Sequence, residues 1–262
     1  MNKKIQNHII ELFASVNFAC QNCGRQELSF LSADGLVEII YNIHQYPMYK
    51  CFFTSKGCVK ELRIYINIKF GEECITIRPS QLKDYSFDID CLASDSPVKL
   101  EENILYATDA LITTFLPLLN GVCSKMIHMS SQYYLLLSTE TIEQAKDFAN
   151  QHNRNLLYTP ENKLWAVNWL LQRRQTTLEN NSFSDVNLKE LIAFAAYIGE
   201  MLLSKHNDGS WKWVCIPDDK IQKFGIVIPS LEDGYDPMQM VIRFWNFSPY
   251  FSEIYLFPQE HK

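Results

Sequence analysis

Glycine is scarce in this chain, 9 among 262 residues. No Gly-rich phosphate cradle is expected, and neither Gly-x-Gly-x-x-Gly nor the P-loop pattern occurs. Basic charge is not in excess: 24 Lys and Arg stand against 30 Asp and Glu, a net charge of −6. That balance argues against a nucleic-acid binder, which carries a surplus of Lys and Arg. It suits a basic partner. Apolar runs are short. Leu111 to Leu119 is the most apolar stretch, and a helix crossing a bilayer needs about 20 residues. No membrane partner is expected. The start, Met1 to His8, is positively charged, but His8, Glu11, Ser15 and Asn17 break up the apolar residues around them. No secretory leader is expected, which implies a cytoplasmic protein. Local catalytic motifs are missing too: there is no Gly-x-Ser-x-Gly and no His-Glu-x-x-His. The chain therefore reads as a binding protein rather than an enzyme.

The residues that are present suit a globular core. Hydrophobic residues make up 47% and aromatics 13%, enough at this length to fold without disulfide staples. Eight cysteines fit a reducing compartment as free thiols. Seven of them lie before residue 125 and only Cys215 after it. That shift suggests two domains, a Cys-rich one over 1–125 and a second over 126–262. The expected class is α+β, each half a small, mostly antiparallel sheet packed with helices.

Periodicity places the elements. Ile5, Ile9, Leu12, Phe13 and Val16 predict a helix over 4–20. Leu36, Val37, Ile40 and Ile43 predict another over 33–46. Strands are expected at 49–54, 60–70, 73–78 and 85–92, the second with Leu62, Ile64, Ile66 and Ile68 on one face. A helix over 100–118 closes the first half. In the second half, a strand is expected at 132–138, and Thr141 to Gln144 opens a helix by a capping box. Thr159-Pro160 starts the next helix. Residues 175–185 read as a loop and 187–206 as a long helix. A strand pair comes next, at 211–216 and 224–228. Asp236-Pro237 opens a short helix, and a last strand is expected at 251–257.

Three constellations are candidates for function. Cys20 and Cys23 have the Cys-x-x-Cys spacing of a zinc knuckle or a redox dithiol, and Cys51 and Cys58 could complete a tetrahedral zinc site. The plainer reading is four small buried hydrophobes, so no cofactor is expected. Carboxylates gather at 84–102 and at 232–236. There Asp84, Asp88, Asp90, Glu232, Asp233, Tyr235 and Asp236 would form an acidic, aromatic face for a basic protein. Glu200 succeeds Gly199 inside the long predicted helix. A glycine there implies close approach of another element, and Glu200 then needs a donor such as the indole of Trp211 or Trp213. The preferred reading of Gly199, Glu200 and Trp211 is structural. An enzyme site around Glu200 and Tyr197, at a junction of the two domains, is the alternative.

Two segments carry a resemblance. One is Leu156-Leu157-Tyr158-Thr159-Pro160-Glu161, with Leu164, Val167 and Leu170 after it. The other is Ala196-Tyr197-Ile198-Gly199-Glu200, then Asp208-Gly209-Ser210-Trp211. Over residues 130–257 they resemble small bacterial domains of the accessory or immunity type, from bacterial competition systems. Leu157 stands where those have Asp, Asn162 where they have a second Ser, and Asp208 precedes Gly209. The resemblance supplies no catalytic residues. It implies an immunity protein that neutralises a basic toxin by covering its active site. A zinc-stabilised interaction module is the further alternative.

Overall fold

The computed structural model describes residues 3–24, 26–47, 58–84, 91–94, 97–180, 185–205, 210–216, 223–227 and 234–258. The chain divides into two compact units. The first comprises Met1–Met126 with Tyr250–Ser252, and the second Ile127–Pro249 with Glu253–Lys262. Helices and antiparallel strands are segregated along the chain, so the fold is α+β.

The first unit opens with α1 (Lys3–Ser15). This helix stops well before the predicted residue 20. Asn17 takes a left-handed φ of 65°, which asparagine tolerates and which ends the helix. The chain leaves it as strand β1 (Phe18–Cys23). A hairpin leads into β2 (Glu27–Ser32), β3 (Val37–Pro47), β4 (Cys58–Phe70) and β5 (Glu73–Ile77), each antiparallel to the one before. A shorter strand, β6 (Cys91–Ser94), pairs with Lys60–Arg63 of β4, while β5 pairs with Ile66–Phe70 of the same strand.

The predicted helix over 33–46 is instead β3. Asp34-Gly35 makes the turn, with Gly35 at φ 72°, a conformation glycine reaches without strain. Asp34 Oδ1 accepts from Ser32 Oγ at 2.5 Å and from the Leu36 amide at 3.0 Å. Beyond it Val37, Ile39 and Tyr41 alternate into the core, each under 5% exposed. Period two therefore won over a helical spacing the same residues also satisfy. In β4, Leu62, Ile64, Ile66 and Ile68 all face inward with no exposure, as their alternation predicts.

The inner face of the sheet carries an aromatic cluster. Phe13 of α1 stacks on Phe30 at 4.1 Å between ring centroids, with Phe18 and Tyr41 at 5.9 and 6.0 Å from Phe13. A second helix, α2 (Pro97–Ala110), packs against β4 and β6. Tyr41 Oη meets Thr108 Oγ1 at 3.0 Å, and Thr108 in turn donates to the Ile104 carbonyl. A π-helical turn over Leu111–Phe115 comes next, then α3 (Leu116–Cys123). Pro117 has no amide to give to the turn before it, and the widened turn absorbs that defect. Val98–Cys123 is thus longer than its apolar run suggested. By length and composition it could cross a membrane, but Leu100, Ile104, Ala107, Leu111, Phe115 and Leu119 are buried in the unit's core.

The second unit is mostly helical among the described residues: α4 (Ser131–Ser138), α5 (Thr141–Gln151), α6 (Pro160–Glu179), α7 (Asp185–Leu203) and α8 (Pro237–Phe247), with an antiparallel pair of β7 (Lys212–Ile216) and β8 (Lys223–Val227). The strand predicted over 132–138 is α4. Ser130 caps it by accepting from the Gln132 amide. Only Tyr134 and Leu137 turn inward, while Leu135 is 67% exposed. The expected capping box at Thr141 is absent. Glu140 precedes the helix in a left-handed turn, and the Thr141 hydroxyl donates back to Leu137. The loop predicted from 175 is still α6 through Glu179, because Arg174 and Thr177 are buried and the Arg174 Nε donates to the Trp245 carbonyl at 2.7 Å. The last predicted strand, 251–257, is not formed. Phe251 makes a single bridge to Leu82 within the first unit, and turns succeed it. The strand expected at 49–54 lies outside the described residues, as do residues 85–90 of the one expected at 85–92.

Candidate functional site

The segments that carry the resemblance hold the second unit together. Thr159 caps α6: its Oγ1 accepts from the Asn162 amide at 3.2 Å. Asn162 is buried, and its side-chain amide donates to Asn155 Oδ1 at 2.7 Å and to the Leu157 carbonyl at 2.8 Å. The amide of Tyr158 donates to Ser204 Oγ, one residue past the end of α7. Above the Tyr158 ring lie two ammonium groups, Lys163 at 4.8 Å and Lys205 at 5.1 Å.

Gly199 and Glu200 meet β7. The donor is Trp213 rather than Trp211: its indole Nε1 gives a hydrogen bond to Glu200 Oε1 at 2.7 Å. The same indole lies across Gly199, and its ring stacks on Phe224 at 4.9 Å and 2°. Trp211 is half-buried just before β7. Asp208 and Gly209 lie outside the described residues. Glu200 is thus engaged with an indole, and neither it nor Tyr197 lines a groove of about 480 Å³ that Lys163, Val167, Phe244, Ile254, Tyr255 and Leu256 help to form.

Tyr197 sits in an aromatic cluster with Phe148, Phe194, Trp165, Trp169 and His152. Arg154 caps the outer side, 4.9 Å above the Trp165 ring. The Tyr197 hydroxyl is buried with no hydrogen-bond partner among the described residues. Burial pushes its pKa up to about 12, against the pull of the Arg154 charge.

The expected acidic docking face is only partly represented. Asp88, Asp90, Glu232 and Asp233 lie outside the described residues. Asp84 is exposed in a left-handed turn, φ 61°. Tyr235 and Asp236 do not serve as surface anchors. Tyr235 is 5% exposed, and its hydroxyl donates to the Leu256 carbonyl at 2.5 Å. Asp236 caps α8: one carboxylate oxygen accepts from the Gln239 amide at 2.9 Å and the other from the Tyr134 hydroxyl at 2.6 Å. Both are occupied inside the fold.

An acidic face with an exposed aromatic does exist, on α2. Val98, Glu102, Tyr106 and Asp109 fall within one side of the helix, opposite Leu100, Ile104 and Ala107. Val98 is 66% and Tyr106 67% exposed, and Glu102 and Asp109 are exposed beside them. The cue was in the sequence: these residues fall between the positions of the predicted buried stripe, at the same helical period.

The cysteines do not assemble a metal site among the described residues, where no group of three His, Cys, Asp or Glu side chains could hold an ion. Cys20 and Cys23 lie together on β1, not at a helix end. Cys58 begins β4, and Cys51 is outside the described residues. No protein-family model, no curated protein and no solved structure matches this chain.

Proposed function

We propose that the protein is a binding protein of the immunity type, which neutralises a basic toxin by covering the toxin's active site. The observation that carries this reading is the outer face of α2, where Tyr106 stands two-thirds exposed with Glu102 and Asp109 one turn to either side. A large aromatic flanked by carboxylates has the composition of an interface anchor with a charged rim. The carboxylates steer and orient a basic surface, and the ring supplies the desolvated contact. The net charge of −6 and the resemblance over residues 130–257 support the same reading.

The test is co-expression with a secreted toxin encoded beside the gene. A one-to-one complex and survival of the cells are the expected results. Replacing Glu102 and Asp109 by Lys together with Tyr106→Ala should abolish capture while leaving the thermal transition in place. Absence of both complex and protection with the unaltered chain refutes the proposal.

A further inference from the structure

We propose that Cys20 and Cys23 are a redox modification site, forming a reversible intramolecular disulfide by exchange with a low-molecular-weight disulfide of the glutathione type. In a regular strand, residues three apart point to opposite faces. Here the register against β2 puts Cys20 opposite Phe30 and Cys23 opposite Leu28, with a shift between Cys20 and Asn22. Gln21 has no partner, so β1 carries a bulge. Phe30 and Leu28 are two apart and both face the core. Residues directly opposite each other share a face, so the bulge brings both cysteines to one side of β1. Same-face positions two apart on a strand lie about 6.6 Å from each other, inside the roughly 4.4–6.8 Å between Cα atoms that a disulfide spans.

The surrounding bonds hold the Cys23 end of the pair. The Gly24 amide donates to the Glu27 carbonyl at 2.8 Å, Gln6 Nε2 to the Gly24 carbonyl at 3.1 Å, and Asn22 Nδ2 to Glu27 Oε1 at 2.8 Å. Among the described residues β1 is an edge strand, paired only with β2, and the Cys23 thiol is exposed to a small reagent. Cys20 is half-buried, and its Sγ donates to the Asn22 carbonyl at 3.3 Å. Burial pushes the Cys20 thiol up, and the adjacent Cys23 thiol adds to that. Cys23 is therefore the entry point and Cys20 the resolving group.

The exchange balances in two steps. The Cys23 thiolate attacks one sulfur of the small disulfide. That S–S bond breaks, and the departing thiolate takes up a proton. The deprotonated Cys20 sulfur then attacks Cys23 Sγ in the mixed disulfide and expels the second small thiol, which is protonated in turn. Two protein thiols are oxidised and one small disulfide is reduced to two thiols. The product staples the edge strand across its bulge.

The full chain in a buffer of oxidised and reduced glutathione, quenched by alkylation and mapped by peptide mass spectrometry, tests this. The expected product is a peptide bearing both cysteines that has lost two hydrogens and both alkylatable thiols. Cys20→Ser should stop at a glutathione adduct on Cys23, and the oxidised fraction should fall when the same buffer acts in urea. Full alkylation of both thiols, separate glutathione adducts on both, linkage of either to a different cysteine, or equal oxidation in urea each overturns the proposal.

Discussion

Replacing Gly199 by alanine sets two effects of known sign against each other. Alanine is the better helix former by about 1 kcal/mol, and Gly199 lies inside α7. On propensity alone the variant would be more stable. However, a Cβ at this position would sit under 3.0 Å from Cζ2 and Cη2 of Trp213 and 3.2 Å from Cε2. The indole cannot swing away cheaply, because it is stacked on Phe224 and bonded to Glu200. Overpacking of this kind costs about 1–3 kcal/mol. Displacing the ring also stretches a hydrogen bond to a carboxylate, which is worth about 1.5–3 kcal/mol. Trp213 and Glu200 are half-buried, so the low ends apply, and the propensity gain offsets part of the sum. The net is a loss of about 1.5 kcal/mol, or a melting temperature lower by about 3–6 °C for a unit of this size. Urea unfolding monitored by circular dichroism measures it. The control is Gly199→Ala in a Trp213→Leu background, where the clash is gone and alanine should be neutral or stabilising. If Gly199→Ala alone is as stable as the parent, or equally costly in both backgrounds, the close approach is not what selects glycine.

Buried polar groups give three further expected outcomes, and a half-buried thiol a fourth. Tyr197→Phe removes a buried hydroxyl that has no partner among the described residues, and urea unfolding should show stability unchanged or raised by about 1 kcal/mol. Tyr134→Phe, which removes a donor to the Asp236 carboxylate, should cost about 1.5–3 kcal/mol in the same urea assay. Asn246 is 2% exposed and bonds both the amide and the carbonyl of Ile127, at 2.8 and 2.9 Å. Asn246→Ala leaves two buried backbone groups unpaired and should cost about 2–5 kcal/mol, visible as a lower urea midpoint. The thiol of Cys123 is pushed up to about 11 from 9.0, first by burial and then by the Asp34 charge. Between those values the unfolded chain has lost the proton that the folded chain still holds, so this thiol's contribution to stability should be constant below pH 9 and fall from pH 9 to 11. Cys123→Ala should make that fall shallower when unfolding is repeated across this range, and an unchanged slope would count against burial of the thiol.

The parts of the fold that were legible are those in which local pattern and tertiary demand agree. β4 alternates through Leu62, Ile64, Ile66 and Ile68 because one face of an antiparallel sheet is buried. Thr159-Pro160 and Asp236-Pro237 each combine a side-chain cap with a proline at the first helical position, and both helices start there. The misread segments satisfy two periods at once. Residues 36–43 present apolar groups at helical spacing and also at alternate positions. Asp34-Gly35, a hairpin dipeptide, was the deciding signal. In 132–138 a short apolar run has no readable period, and the Ser130 cap settles it as a helix. The persistence of α6 to Glu179 depends on a bond from Arg174 to α8, 71 residues away in sequence, which no local window contains.

The candidate site divides in the same way. The Gly199–Glu200–Trp213 arrangement was anticipated because a mid-helix glycine signals close packing whatever the rest of the fold. The choice of indole depends on the strand register: β7 begins at Lys212, so Trp213 lies on the paired strand and Trp211 before it. Charge density was a poorer guide. Tyr235 and Asp236 belong to an acidic cluster in sequence, yet one closes on the Leu256 carbonyl and the other caps α8. A carboxylate next to Pro at a helix start is a cap before it is a surface charge, and a tyrosine beside it is drawn inward with it. An exposed anchor is therefore better sought among residues off the buried stripe of a well-marked helix, where the fold has no use for them. Tyr106, Glu102 and Asp109 meet that condition on α2.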